Sequence, residues 1–234
     1  MMSSISSALQ GVLQQIRQTA LAAGREPDSV QLLAVSKTFP AEAIREAWAA
    51  GQTAFGENYV QELLDKAHIL TDLPVQWHFI GPLQSNKTRP VAEIAHWVHS
   101  VDRLKIAERL SAQRPAQMPP LNICLQVNIS GEDSKSGVTP SELPALAAAV
   151  ARLPRLVLRG LMCIPAPTTD PLQQQAAFAA LRELYEQLLV DGLALDTLSM
   201  GMSADMVAAI REGATMVRVG TAIFGHRHYP GNPA

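Results

Sequence analysis

Leu32-Leu33-Ala34-Val35-Ser36-Lys37 runs through apolar and small residues straight into a lysine, and Thr38-Phe39-Pro40 then stops it. A short, near-continuous apolar run closed by a turn signal reads as a strand buried on both faces, as in a parallel sheet. A lysine at the end of such a strand must find a partner, reach water or lose its charge, because burial disfavours the ammonium form. A lysine that is neutral at working pH is the amine a Schiff base needs. The plainer reading is a side chain that extends from the strand end into water. This segment alone leaves both open.

Outward from that strand, the chain keeps one rhythm. On the N-terminal side Ile5, Leu9, Val12, Leu13, Ile16 and Ala20 recur at helical spacing, and Gly24 follows as a stop. On the C-terminal side strand-like stretches fall at 53–58, 76–81, 97–102, 121–128, 158–165, from 198, and at 216–224. Helical stretches follow Pro40 and lie at about 59–70, up to Ala95, and at 104–110, 140–151, 172–190 and 206–210. Eight strands separated by seven helices, with an extra helix in front, predict an α/β fold: a (β/α)8 TIM barrel, one domain over residues 1–234. An open doubly wound sheet would carry a glycine-rich turn after its first strand, and Lys37 stands there instead.

Bulk properties narrow the function. The chain is 47% hydrophobic and 17% charged, which excludes general disorder. Its net charge is -2 and its 19 basic residues are scattered, so it lacks the basic stripe of a nucleic-acid binder. Met1 to Gln10 is polar and has no secretory pattern, and no apolar run is long enough to span a bilayer. A cytoplasmic protein without membrane contact is expected. Cys124 and Cys163 sit in apolar runs and read as reduced core residues; no metal site is expected.

In such barrels the active site lies at the C-terminal ends of the strands. Those ends deliver Lys37, Asn58, His78, Asn128, Met162, Ser199 and Arg218. A second cluster is Ser199-Met200-Gly201-Met202-Ser203-Ala204-Asp205-Met206, in which Ser203 is placed to cap the following helix. A helix start favours an anion, phosphate most often. Gly220-Thr221 then offers close backbone approach and a hydroxyl donor, and phosphate sites after strands seven and eight recur in these barrels. The plainer reading makes Ser203 an ordinary cap and Gly220-Thr221 a turn; the two patches together favour phosphate. A lysine amine beside a phosphate cup suggests pyridoxal 5′-phosphate. Arg218 then belongs near the pyridine nitrogen, which an arginine leaves unprotonated, making the cofactor a weak electron sink.

The segments LLAVSKTFP, FGENYVQE, WHFIGPLQSNK, NISGEDSKSG, GLMCIP, LSMGMSADM and VRVGTAIFG, in this order, resemble the pyridoxal phosphate homeostasis proteins, small relatives of the alanine racemase barrel domain. The resemblance implies that Lys37 carries the cofactor as an internal aldimine. It also implies that Ser203, Gly220 and Thr221, with Ser199, hold the phosphate, that Arg218 faces the ring nitrogen, and that Asn58 and Met200 line the site. It implies a protein that buffers or delivers the cofactor to pyridoxal phosphate-dependent apoenzymes and affects amino-acid and keto-acid balance. It further implies a monomer.

Racemisation needs a proton acceptor on one face of the ring and a donor on the other. Lys37 can serve one face. In alanine racemase, the comparison implies, the second base is a tyrosine from a C-terminal domain, for which a chain ending at Ala234 leaves no room. Tyr185 is expected mid-helix, Tyr229 lies in the tail, and Tyr59 is the one nearest the expected site. His78 reads better as a satisfied core histidine than as a base. A cofactor carrier is therefore the first reading and a weak racemase or lyase the second. The polar Ser130–Gly137 loop suits a lid or a surface for recipient enzymes.

Overall fold

Gln31–Val35 forms the first strand, β1, and every residue after Gln31 is buried. Its side chains alternate: Leu32 and Ala34 pack outward with the helices, whereas Leu33 and Val35 turn inward to meet Ile80 and Met216. The computed structural model describes residues 4–131 and 136–225. Before β1 lies α1 (Ser4–Ala22); after it come α2 (Ala41–Ala49), β2 (Ala54–Glu57), α3 (Val60–Ile69), β3 (Gln76–Phe79), α4 (Thr88–Ile94), β4 (Trp97–Val101) and α5 (Leu104–Gln113). The second half contains β5 (Leu121–Gln126), α6 (Leu143–Val150), β6 (Leu156–Met162), α7 (Pro171–Val190), β7 (Thr197–Ser199), α8 (Met206–Arg211), β8 (Met216–Val219) and α9 (Thr221–Phe224).

The eight strands pair in parallel, in sequence order, and close into a barrel where β8 meets β1. The main apolar core fills the layer between strands and helices. The barrel interior holds two small apolar clusters and several polar side chains. The extra N-terminal helix α1 packs against α2, α8 and α9, and so covers the outside of the β8–β1 seam.

Some expected boundaries move. The eighth strand stops at Val219 rather than Phe224, because the N–H groups of Ile223 and Phe224 turn back to the Gly220 carbonyl and wind α9. Ser203 does not cap α8; Asp205 stands at that position, and its carboxylate accepts from the Met202 N–H instead. The sixth strand runs from Leu156 to Met162, with a register shift opposite Ile123/Cys124 that leaves Arg159 as the extra residue. Arg159 bridges to Asp196 and Asn122 and lies 4.9 Å over the Trp97 ring.

Gly160 follows that shift and pairs with Thr197 on β7. A Cβ at Gly160 would overlap the Thr197 carbonyl oxygen, part of a strand that cannot step aside. Gly160→Ala is therefore expected to lower the unfolding free energy by about 3 kcal/mol, the upper end for overpacking. Urea unfolding of the two proteins measures this, and equal midpoints would contradict it.

Candidate functional site at the barrel rim

The parallel order brings every C-terminal strand end to one rim. A cavity of about 260 Å³ opens there, lined by Lys37, Asn58, Ser203, Arg218, Gly220 and Thr221, with Val35, Phe39, Ile80, Ile164, Met202 and Ala204. That volume is near the small end of ligand pockets, roughly 300–1,000 Å³, and suits a single-ring compound. A larger depression of about 800 Å³ lies on the flank, lined by Leu64, Asp65, Ala67, His68, Ile69 and Ile94. It gathers few polar groups, so we place the chemistry at the rim.

Of the residues singled out in the sequence, Lys37, Asn58, Ser203, Arg218, Gly220 and Thr221 meet around the cavity. Ser199 lies fully buried and bonded to Arg218, and does not line it. Met200 is fully buried in the outer core, and Met202 reaches the cavity in its place. Asn128 and Met162 are strand-end residues off the cavity wall, and Tyr59 is 55% exposed beside a neighbouring depression. Tyr229 and residues 132–135 of the Ser130–Gly137 loop lie outside the described residues. The apolar wall of Ile80, Ile164 and Phe39 was not singled out from the sequence, though Ile80 and Ile164 directly follow strand runs and so carried a positional signal.

Backbone approaches set the polar groups. Lys37 continues the inward series of Leu33 and Val35, which aims it at the barrel mouth. Asn58 directly follows β2, and Gly81 lets the next loop press on its carbonyl, where a Cβ would overlap it. The Asn58 Oδ1 is buried and has no hydrogen-bond partner among the described residues. A Cβ at Gly220 would stand 2.9 Å from the Val35 carbonyl, so this glycine permits the close β8–β1 approach beside Lys37. The hydroxyls of Ser203 and Thr221 make no hydrogen bond within the described residues.

Arg218 is 4% exposed. Its Nη1 donates to the Ser199 carbonyl at 2.6 Å and to the Ser199 Oγ at 2.9 Å, and its Nη2 donates to the Cys163 carbonyl at 2.8 Å. Among the described residues no carboxylate lines the cavity, and its charged liners are Lys37 and Arg218. Burial lowers the affinity of Arg218 for its proton, but a guanidinium stays charged in protein. Among the described residues the cavity wall therefore carries positive charge only.

Arg218 also dictates the protons beneath it. A guanidinium only donates, so the Ser199 Oγ accepts from it and passes its own proton to His99 Nδ1, 2.8 Å away. His99 then carries its proton on Nε2 and donates to His78 Nδ1 at 2.9 Å. His78 is left protonated on Nε2, a buried atom without a partner among the described residues, and its ring stacks on Trp97 at 5.4 Å. Burial pushes His99 down to about 3 and His78 well below its usual value. His78 is thus a core residue tied into the floor of the site.

Residues 7–228 match the alanine racemase N-terminal domain, and the chain belongs to that family. It is 65% identical over 233 residues to the pyridoxal phosphate homeostasis protein of Pseudomonas aeruginosa, covering 100% of both chains. It is 55% identical over 238 residues to the protein of the same name from Escherichia coli, covering 97% of this chain and 99% of the other. The solved structure of PipY from Synechococcus elongatus with PLP bound superposes with a TM-score of 0.84 at 43% identity, over 94% of this chain and 100% of that one.

The buried neutral histidines have a pH signature. Unfolded, each ring binds a proton near pH 6.5, whereas folded each stays neutral to far lower pH. Stability therefore falls as pH drops below about 6.5, by on the order of 1 kcal/mol per pH unit per ring. Glu57 works the other way between about 4.5 and 6, since burial raises its folded value to about 6. Urea unfolding at pH 7 and pH 5 should show the loss, and His78→Gln should shrink the difference. An undiminished difference in that variant would refute the neutral assignment.

Proposed function

We propose that this chain binds pyridoxal 5′-phosphate in the rim cavity, holds it through Lys37, and serves its intracellular homeostasis by buffering and delivery. The observation that carries the reading is convergence: Lys37 and Arg218 face one cavity, and the hydroxyls of Ser203 and Thr221, uncommitted among the described residues, stand at the same rim. The family and the PLP-bound PipY relative support the same ligand. The residues present fit it. Ser203, Gly220 and Thr221, with backbone N–H groups of the short turns that follow, suit a phosphate. Arg218 suits the ring nitrogen, and the unpartnered Asn58 Oδ1 offers an acceptor near the ring.

Bound pyridoxal phosphate supplies an aldehyde carbon and an aromatic ring that can delocalise electrons. Lys37 would hold the group by condensing its amine with that carbon, with release of water. Arg218 keeps the ring nitrogen unprotonated and so weakens the electron sink. No Tyr, His, Cys, Asp or Glu among the described residues lines the cavity, so none of them offers a second base for the opposite face. Carriage therefore fits better than racemisation, which needs two such groups. We further place the protein in the cytoplasm as a monomer that hands the cofactor to apoenzymes and thereby affects amino-acid and keto-acid balance. Among the described residues no helix is long and apolar enough to cross a membrane, which accords with that placement.

Absorption spectra of the purified protein with added pyridoxal phosphate test this directly. An imine band is expected in the wild type and none in Lys37→Ala, with the band unmoved by L-alanine and no D-alanine produced. A wild type that shows no band defeats the reading, and steady D-alanine production replaces carriage with racemisation.

A further inference from the structure

The residues on either side of Lys37 are both tied to one charged cluster outside the barrel. Ser36 and Phe39 close a β-turn, the Phe39 N–H bonding to the Ser36 carbonyl at 3.1 Å, with Lys37 and Thr38 at its centre. Thr38 takes φ of 68°, in the left-handed region where a β-branched residue is an outlier. A positive φ at the second central position marks a type II turn, in which the central peptide is turned over relative to type I. Here that peptide joins Lys37 to Thr38, and its N–H donates to Glu62 Oε2 at 2.7 Å.

Glu62 is itself fixed. Lys66 Nζ donates to Glu62 Oε2 at 2.8 Å, to Glu57 Oε1 at 2.8 Å and to the Ser36 carbonyl at 2.9 Å. The Ser36 Oγ completes the ring by donating to Glu57 Oε1 at 2.6 Å. Lys66 and Glu57 are almost wholly buried, and Glu62 side-chain exposure is 30%. Both peptide groups that flank Lys37 are thus bonded into the Glu57–Lys66–Glu62 cluster, which touches none of the cavity itself.

We propose that Glu62, held by Lys66 and Glu57, is a positioning residue for Lys37: it fixes the turn that presents the amine to the cavity. The proposal rests on the reading that Lys37 forms the imine. It assigns the cluster to the speed of bond formation and leaves phosphate and ring binding to the rim residues. A misplacement of about 1 Å in a reacting group can cost up to roughly a hundredfold in rate, so the effect is within reach of measurement.

Three proteins decide it: wild type, Glu62→Ala, which removes the acceptor, and Glu62→Gln, which keeps one. In the cofactor-free proteins, the Thr38 amide should exchange with deuterium over tenfold faster in Glu62→Ala than in wild type, and Glu62→Gln should stay close to wild type. With pyridoxal 5′-phosphate, imine formation should slow about tenfold in Glu62→Ala and recover most of that in Glu62→Gln. Affinity for pyridoxine 5′-phosphate, which has an alcohol where the aldehyde stands and cannot form an imine, should stay within about twofold in all three. Unchanged imine kinetics in Glu62→Ala would overturn the positioning role. So would an equal loss of pyridoxine 5′-phosphate affinity, which would make the cluster a support for the whole cavity. A wild type that binds the alcohol yet never forms the imine would instead bring down the Lys37 reading, and this role with it.

Discussion

Closure of the barrel between its first and last strands is the constraint on which the site depends. β8 pairs with β1 in parallel, Leu33 opposite Arg218 and Ala34 opposite Val219, so the two strands finish side by side. Lys37 and Gly220-Thr221, nearly the whole chain apart in sequence, become neighbours at one rim for that reason alone. Gly220 refines the approach, because its missing Cβ leaves room for the Val35 carbonyl. α1 seals the outside of the same seam, burying Leu9, Val12, Ile16 and Ala20. An apolar stripe of that kind stabilises by burial, and here it does so at the seam where the barrel closes.

The interior behind the rim is ordered by a cation. An unpaired charge in a dry interior is costly, and Arg218 meets that cost with two carbonyls and a hydroxyl instead of a carboxylate. The choice matters electrostatically. A neighbouring Asp or Glu would cancel the positive potential of the cavity, whereas carbonyl dipoles orient the guanidinium and leave its charge available. The hydrogen-bond chain through Ser199 and His99 to His78 follows from the same requirement, since each member must accept what the one before it donates. Both rings remain neutral, so neither adds a positive charge beneath Arg218.

Much of this was legible in the sequence, and the failures have physical causes. Leu32 to Lys37 read correctly as a buried strand ending in a functional-looking cation because parallel strands carry apolar runs with no exposed face. The barrel followed from the count of strand–helix units. Arg218, Ser203, Gly220 and Thr221 were found because strand ends and turn residues are local features. Met200 was expected in the cavity and Met202 takes that position, because orientation after a strand end depends on the Gly201 turn, at φ of 95°, and not on strand alternation. The Ser203 cap failed to Asp205 for a similar reason, as one turn offered two competing cap residues. The Glu57–Lys66–Glu62 cluster has no local signal of that kind, because Glu57 comes from β2 and Glu62 and Lys66 from α3, and the three meet only once helix and strand are packed together.

That cluster sets a limit on how the turn at Lys37 can be read. A left-handed conformation costs a residue such as Thr38 about 1–2 kcal/mol, and an unsupported turn would relax by flipping its central peptide. A hydrogen bond to a charged group contributes about 1.5–3 kcal/mol, at the lower end here because Glu62 is partly exposed. The two magnitudes are comparable, so the turn is held but not locked. On the proposed reading, a lysine that takes up and gives back the same ligand would need its amine presented reproducibly without being frozen in one pose. Placing the supporting charges on the outer side of the sheet achieves that and keeps carboxylates out of the cavity, where they would repel a phosphate. The separation of an electropositive cavity from an acidic support, with only the thickness of β1 between them, is what lets one short turn serve both.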